Sequence, residues 1–254
     1  MCLKQVLIYP RGTTDACACA AEFLKQAGFF LTDHPSQEVT HLLLDVPSFA
    51  PDGSLRGGGE PDRILEMLPP AAVVIGGNLK HPALAEHRVL DLLQDPDYLA
   101  YNAAITAECA LQIAASVLPA VFSDSPALII GWGRIGKCLS KLLTGLGCPV
   151  TIAARNSNDR AVIRGLGWQA ADIDQIPGLL SEMRLIFNTV PVPILSPGVL
   201  DGWGNCVKID LASRPGLDGK DVIYARGLPG RYAPESSGRL IARTIAYYLR
   251  EETL

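Results

Sequence analysis

A chain of 254 residues is long enough for one large domain or two modest ones, and it can bury a core. Its 48% hydrophobic and 19% charged content fits an ordinary globular protein and excludes a disordered or fibrous one. A net charge of −4, with no lysine or arginine cluster along the chain, leaves out the electrostatic footprint of a nucleic-acid binder.

The first hundred residues alternate short apolar runs with helical stretches. Residues 5–9 (QVLIY) predict a strand, and residues 15–27 a helix stopped by Gly28. Residues 41–46 (HLLLDV) predict a second strand, followed by a loop rich in Pro, Gly and Ser over 47–60. A short helix over 61–68 leads to a third strand at 71–75, which ends at Gly76-Gly77. Strands separated by helices imply a parallel layer, here a small substrate-side domain of three or four strands over residues 1–97. Residues 98–118 read as a helix with Ile105, Cys109, Ile113 and Val117 along one face. Pro119 and Asp124-Ser125-Pro126 end it, so residues 98–125 form a bridging helix and linker.

A second series follows over 126–232. Strands are predicted at 127–130, 149–154, 185–190, 206–211 and 222–225, with helices over 134–145, 157–165 and 176–183. The tail, 233–254, carries an amphipathic helix over 234–249 that is expected to pack back on the first domain. The fold class expected is α/β, two parallel-sheet domains, the C-terminal one a Rossmann dinucleotide-binding domain.

The decisive motif is Gly131-Trp132-Gly133-Arg134-Ile135-Gly136. It follows an apolar strand and opens a helix, with a second strand at the right distance. Gly131 permits the tight turn, Gly133 lets backbone reach a pyrophosphate, and Gly136 lets helix and strand pack closely. The end of the second strand selects between nicotinamide cofactors, an acid holding a ribose 2′-hydroxyl and an arginine a 2′-phosphate. This chain reads Ala154-Arg155-Asn156-Ser157, with Arg155 about 24 residues after Gly131, near the expected offset. NADP(H) is therefore favoured over NAD(H), with Asn156 or Ser157 assisting Arg155 and Arg160 as a second charge. The alternative for Arg155 is a solvated surface arginine. Further cofactor contacts are expected at the strand ends Asn188-Thr189-Val190-Pro191 and Asp210-Leu211-Ala212, and at Gly227-Leu228-Pro229.

These segments together resemble the dipicolinate synthase A-subunit family. The resemblance is carried by residues 131–136, Ala153-Ala154-Arg155-Asn156-Ser157, Phe187-Asn188-Thr189-Val190-Pro191, residues 209–216 (IDLASRPG) and Gly227-Leu228-Pro229-Gly230 with Ala233-Pro234. In the first half it rests on Val74-Ile75-Gly76-Gly77, Tyr101-Asn102-Ala103 and Thr106-Ala107-Glu108. The resemblance implies oxidation of a dihydro- or tetrahydrodipicolinate-type cyclic dicarboxylate to the aromatic dipicolinate. It also implies a nicotinamide cofactor and a flavoprotein-like second subunit. Two departures stand out. The family opens with a glycine-rich strand end and an acidic-x-Arg turn, where this chain has Tyr9-Pro10-Arg11-Gly12. The link between the last two strands is about ten residues, short for a parallel crossover, so the last strand is either antiparallel or reached by an extended link.

All four histidines, His34, His41, His81 and His87, precede the bridge helix, which disfavours a late catalytic histidine. The acid–base candidates are Glu108, for which a solvated carboxylate is the alternative, and His81. A dicarboxylate calls for arginine, lysine, amide or hydroxyl partners. The candidates are Ser48, Asn78, Asn102, Thr106, Ser213 and Arg214, with a cleft between the domains as the expected site. Asn102 and Thr106 lie one helical turn apart. For Ser213 and Arg214 the alternatives are a cap and a surface ion pair.

Seven scattered cysteines without a Cys-x-x-Cys pair predict reduced thiols and neither a metal centre nor a disulfide framework. No apolar stretch reaches the roughly 18 residues of a bilayer span, and Met1-Cys2-Leu3-Lys4-Gln5 does not read as a signal peptide. A cytoplasmic homo-oligomer is expected. Two other readings stay open: a non-catalytic nucleotide-binding or scaffold protein for a flavoprotein partner, and another Rossmann dehydrogenase of unknown substrate.

Overall fold

The computed structural model describes residues 6–195, 198–202 and 205–251. Its elements in chain order are β1 (Leu7–Pro10), α1 (Asp15–Gln26), β2 (Phe30–Leu31), β3 (His41–Leu43), α2 (Pro61–Leu65), β4 (Val73–Gly76) and β5 (Val89–Asp91). Next come α3 (Pro96–Val117), β6 (Ala127–Ile130), α4 (Arg134–Gly145), β7 (Val150–Ala153), α5 (Ser157–Gly165), β8 (Gln169–Ala171) and α6 (Ile176–Leu179). The chain ends through β9 (Leu185–Asn188), β10 (Val207–Asp210), β11 (Val222–Tyr224), α7 (Leu228–Tyr232) and α8 (Pro234–Glu251). Two compact units result, Met1–Asn102 with Pro229–Leu254, and Ala103–Leu228. The division falls inside α3 and at the start of α7, whereas the sequence reading kept 98–125 as a separate bridge and ended the second domain at 232.

The first unit holds a parallel five-stranded sheet in the order β2-β1-β3-β4-β5. Two of them, β2 and β5, are not among the three strands named from the sequence. β2 has only two residues, and β5 begins at an exposed Val89, so neither carries a legible apolar run. Gln5, the expected start of the first strand, lies outside the described residues. Thr14 caps α1, its hydroxyl accepting from the Cys17 amide at 3.3 Å, and Asp15 complements the helix dipole. Helix α8 lies against α1 along a seam of small residues. A Cβ on Gly238 would meet Cys19 Cβ at 2.5 Å and the Ala16 carbonyl oxygen at 2.7 Å, so only glycine permits this approach. Ile241 and Ile245 bury their side chains from the same helix.

The second unit holds a parallel six-stranded sheet in the order β11-β10-β9-β6-β7-β8. Counted within the unit, this is the doubly wound 3-2-1-4-5-6 order of dinucleotide-binding folds. All four residues of β6 and of β9 are buried, as expected of central strands covered on both faces. The expected helix over 176–183 is reduced to α6, flanked by 3-10 turns, with Gly178 lowering its helix propensity. Strand β11 pairs parallel with β10, Asp210 opposite Tyr224, through a link that contains no helix. Of the two routes left open by its length, the chain takes the extended one.

Among the described residues no helix is long and apolar enough to cross a membrane, and no group of three or more His, Cys, Asp or Glu residues is placed to hold a metal ion. Gly238→Val is expected to lower stability by about 1–3 kcal/mol through forced separation of α8 from α1. Denaturant unfolding of the variant against the parent chain checks this.

Candidate functional site

In a doubly wound sheet, ligands gather outside the carboxyl ends of the strands where strand order reverses. In the second unit that point lies between β6 and β9. Their register is continuous, Ala127 opposite Leu185 through Ile130 opposite Asn188. Beyond it the Thr189 amide and hydroxyl both donate to the Ile130 carbonyl, each at 2.9 Å. The two strand-end loops thus leave side by side. Gly131 turns out of β6 with φ +104°, and a Cβ there would run into Thr189 and Val190. Gly136, on the first turn of α4, would place a Cβ against the Gly131 carbonyl oxygen. Glycine at both positions brings the N-terminus of α4 down onto the strand end.

Gly133 is the N-cap of α4, exposed, with no side-chain cap hydrogen bond and open space where a Cβ would stand. The amides of Arg134, Ile135 and Gly136 belong to the first turn, where a helix supplies no carbonyl partners. An uncapped first turn beneath open space fits an anion of pyrophosphate type. Arg134 is exposed, and Trp132 is half-buried, edge-on to Trp168 at 5.6 Å between ring centroids.

The second strand end is built differently from expectation in one respect. Asn156 caps α5, its side-chain oxygen accepting from the Asn158 amide at 2.8 Å, while Arg155 and Ser157 are exposed. Arg160, expected as a second cofactor charge, is committed elsewhere. Its guanidinium donates to the carbonyls of Ala154 at 2.8 Å and Arg155 at 2.7 Å, and pairs with Asp172 at 2.8 Å. It therefore holds the turn that carries Arg155.

The next two strand ends are locked by a buried pair. Asp210 is 1% exposed. It accepts from the amides of Ala212 at 2.9 Å, Gly216 at 2.7 Å and Leu217 at 2.9 Å, and from Asn188 Nδ2 at 3.1 Å. Asn188 also donates to the Val190 carbonyl and accepts from the Val190 amide. Both side chains are spent on shaping the loops after β9 and β10. Pro191, Ser213 and Arg214 are among the exposed residues of those loops, while Leu211 and Ala212 are buried. Gly227 turns with φ +62° into Leu228 and Pro229, both buried.

The first unit repeats this construction. Asp45, 2% exposed at the end of the β3 run, accepts from the Thr13 amide at 2.9 Å and hydroxyl at 3.2 Å. The Thr14 amide and hydroxyl add bonds of 3.0 and 2.6 Å. Asp91 accepts from the amides of Asn78, Leu79 and Leu93 at 2.9–3.0 Å. Sequence reasoning missed both acids. The available signal was an acid closing an apolar strand (LLLD at Asp45, VLD at Asp91).

Ser48 is 1% exposed; its hydroxyl donates to the Asp45 carbonyl and accepts from the Gly77 amide, which makes it a loop strut. Asn78 is exposed with φ +57°, held there by Asp91. The His81 ring stacks on Phe49 at 4.3 Å, and its Nδ1 accepts from the Ala83 amide, capping a 3-10 turn. On α3, Asn102 is half-buried, Thr106 buried and Glu108 exposed. The Cys17 thiol beside Gly12 is pushed up to about 12, by burial first and by the Asp45 carboxylate second, so it carries no thiolate at neutral pH.

No protein-family model matches the chain. Over 178 residues, 66% of this chain, it is 28% identical to the dipicolinate synthase A-subunit of Bacillus subtilis (strain 168). The chain is similar to dipicolinate synthase A. In that match it spans 60% of the relative's length. The crystal structure of the dipicolinate synthase A-subunit from Bacillus halodurans aligns with a TM-score of 0.82 at 21% identity, covering 96% of this chain and 97% of that one. The Bacillus subtilis dipicolinate synthase A structure aligns at 0.81 with 22% identity, covering 97% and 96%. At these identities the structural likeness to dipicolinate synthase A is one of fold, two α/β units with Rossmann-like parallel sheets.

Asp210→Ala would strand three loop amides without their acceptor and remove one of the two bonds donated by Asn188 Nδ2. It is expected to cost about 2–4 kcal/mol of stability and to weaken dinucleotide binding. Unfolding midpoints and a dinucleotide titration on the same variant measure the two effects, and Asp210→Asn should retain part of both.

Proposed function

We propose that the chain is an NADP(H)-linked oxidoreductase subunit that converts a dihydro- or tetrahydrodipicolinate-type cyclic dicarboxylate to dipicolinate, alongside a flavoprotein-like second subunit. The observation that carries the reading is the uncapped Gly133 turn of α4 at the strand-order reversal, together with an exposed Arg155 at the end of β7. The likeness to dipicolinate synthase A supports the substrate class. The same reading makes the chain a cytoplasmic homo-oligomer.

The amides of residues 134–136 would hold the pyrophosphate, and the loops after β9 and β10 would border the nicotinamide ribose. Arg155 would clamp the 2′-phosphate, with the Ser157 hydroxyl and the α5 N-terminus beside it. The bound nicotinamide would supply a two-electron acceptor, so a dihydro substrate would consume one equivalent and a tetrahydro substrate two in succession. This chain's residues have the task of orienting the ring and the substrate. Formation of an aromatic product supplies driving force, so positioning outweighs demanding acid–base work. Carboxylate-binding roles are assigned unit by unit, to Asn78 and Asn102 in the first and to Thr106 and Arg214 in the second. Ser48 and His81 are assigned to shaping the loops after β3 and β4, since their hydrogen bonds already run to neighbouring backbone. Glu108, exposed on α3, is the acid–base candidate.

Titration of the purified chain with NADP and NAD tests the cofactor assignment. Arg155→Ala is expected to weaken NADP binding by about 10- to 100-fold while changing NAD affinity less than about threefold. Equal affinity for both cofactors, unchanged in the variant, would remove it. A change in nicotinamide absorbance when the chain, NADP and a dihydro- or tetrahydrodipicolinate precursor are mixed without the partner separates a catalytic role from a scaffold role.

A further inference from the structure

The first unit carries a strand-order reversal of its own. Its sheet runs β2-β1-β3-β4-β5, so the chain leaves β1 toward one side of the sheet and β3 toward the other. The loops after β1 and β3 must diverge, and a crevice opens between them at the carboxyl ends. Arg11 is the first residue beyond β1 at that crevice. Its amide donates to the Leu43 carbonyl, the last residue of β3, at 2.8 Å. We propose that Arg11 is the carboxylate-binding residue of the first unit and that this crevice receives one carboxylate of the dicarboxylate substrate.

Three observations converge on the crevice. The first is charge. The half-buried Arg11 guanidinium donates one hydrogen bond, to the Gly58 carbonyl at 3.2 Å, and forms no ion pair among the described residues. A guanidinium offers five N–H groups in a planar fork that matches a carboxylate. The second is the fate of the nearest acid. Asp45 lies one loop away, yet its oxygens are taken by the amides and hydroxyls of Thr13 and Thr14. It fixes the turn that carries Arg11 and is not paired with the guanidinium. The third is the opposite wall. Residues 55–59 form a tight loop, with the Leu55 amide donating to the Gly59 carbonyl at 3.1 Å and the Arg56 amide donating to the Ser48 carbonyl at 2.9 Å. Gly57 lies so close to Thr13 that a Cβ would run into its side chain. The loop therefore seats Arg11 from the β3 side without supplying a counter-charge, and the crevice is preorganised for an anion.

The inference takes its ligand class from the dicarboxylate reading above, and the test keeps the two apart. The full chain, saturated with NADP, is titrated calorimetrically with pyridine-2,6-dicarboxylate and with the monocarboxylate pyridine-2-carboxylate. Parent, Arg11→Gln and Arg11→Lys are compared, and melting temperature and NADP affinity report on folding. The expected result is a loss of about 10- to 100-fold in dicarboxylate affinity for Arg11→Gln, with NADP affinity and melting temperature unchanged and partial recovery in Arg11→Lys. If the parent binds only the monocarboxylate and Arg11→Gln abolishes that binding, the crevice assignment stands and the dipicolinate reading fails. If the parent and Arg11→Gln bind the dicarboxylate equally, the crevice assignment is overturned and the substrate reading survives. If the parent binds neither compound, both fall.

Discussion

Each parallel sheet delivers all its strands to one edge, and the chain must leave that edge through loops whose amides have lost their ladder partners. A buried carboxylate at the strand end meets this constraint in both units. Asp210 gathers three amides and the Asn188 side chain, and Asp45 gathers the amides and hydroxyls of Thr13 and Thr14. Burying a carboxylate is costly unless it is fully hydrogen-bonded, and here each acid is. The loop shapes that form the candidate site depend on these bonds. With only water as acceptor, the eleven-residue link 211–221 would have no reason to hold its extended parallel crossover.

The two units use the same solution for different ends. In the second, the loop after β6 is glycine-rich and feeds an uncapped helix, so the anion partner offered there is backbone. In the first, α1 is capped by Thr14, its first turn carries Asp15, and the cationic group at the strand end is the Arg11 side chain. A backbone cradle suits a bulky pyrophosphate that must approach closely, whereas a side-chain fork suits a small planar carboxylate. Arg160 and Asp172 extend the logic at β7, where an ion pair supports the turn and leaves Arg155 exposed.

Much of this was legible in the sequence. The glycine spacing at 131–136, the apolar run before it and the helix after it placed the α4 turn, because each residue there answers a local requirement of backbone geometry. The tail helix was legible from its apolar stripe at Leu240, Ile241, Ile245 and Leu249. Short edge strands such as β2 and β8 were not legible, since they carry no apolar periodicity and exist only by pairing with a longer neighbour.

The roles of individual polar residues divide in the same way. Sequence alone determined the alternating α/β plan of the second half, the position of its glycine turn before α4 and the absence of an acid beside Arg155. Those features are local, written in spacing and side-chain type. Tertiary structure decided that Ser48, Asn188 and Asp210 are struts, that Arg160 supports its neighbour, and that Arg11 stands at a strand-order reversal without an ion pair among the described residues. Those outcomes depend on which distant backbone groups arrive within hydrogen-bonding reach, and only the assembled sheets bring them there.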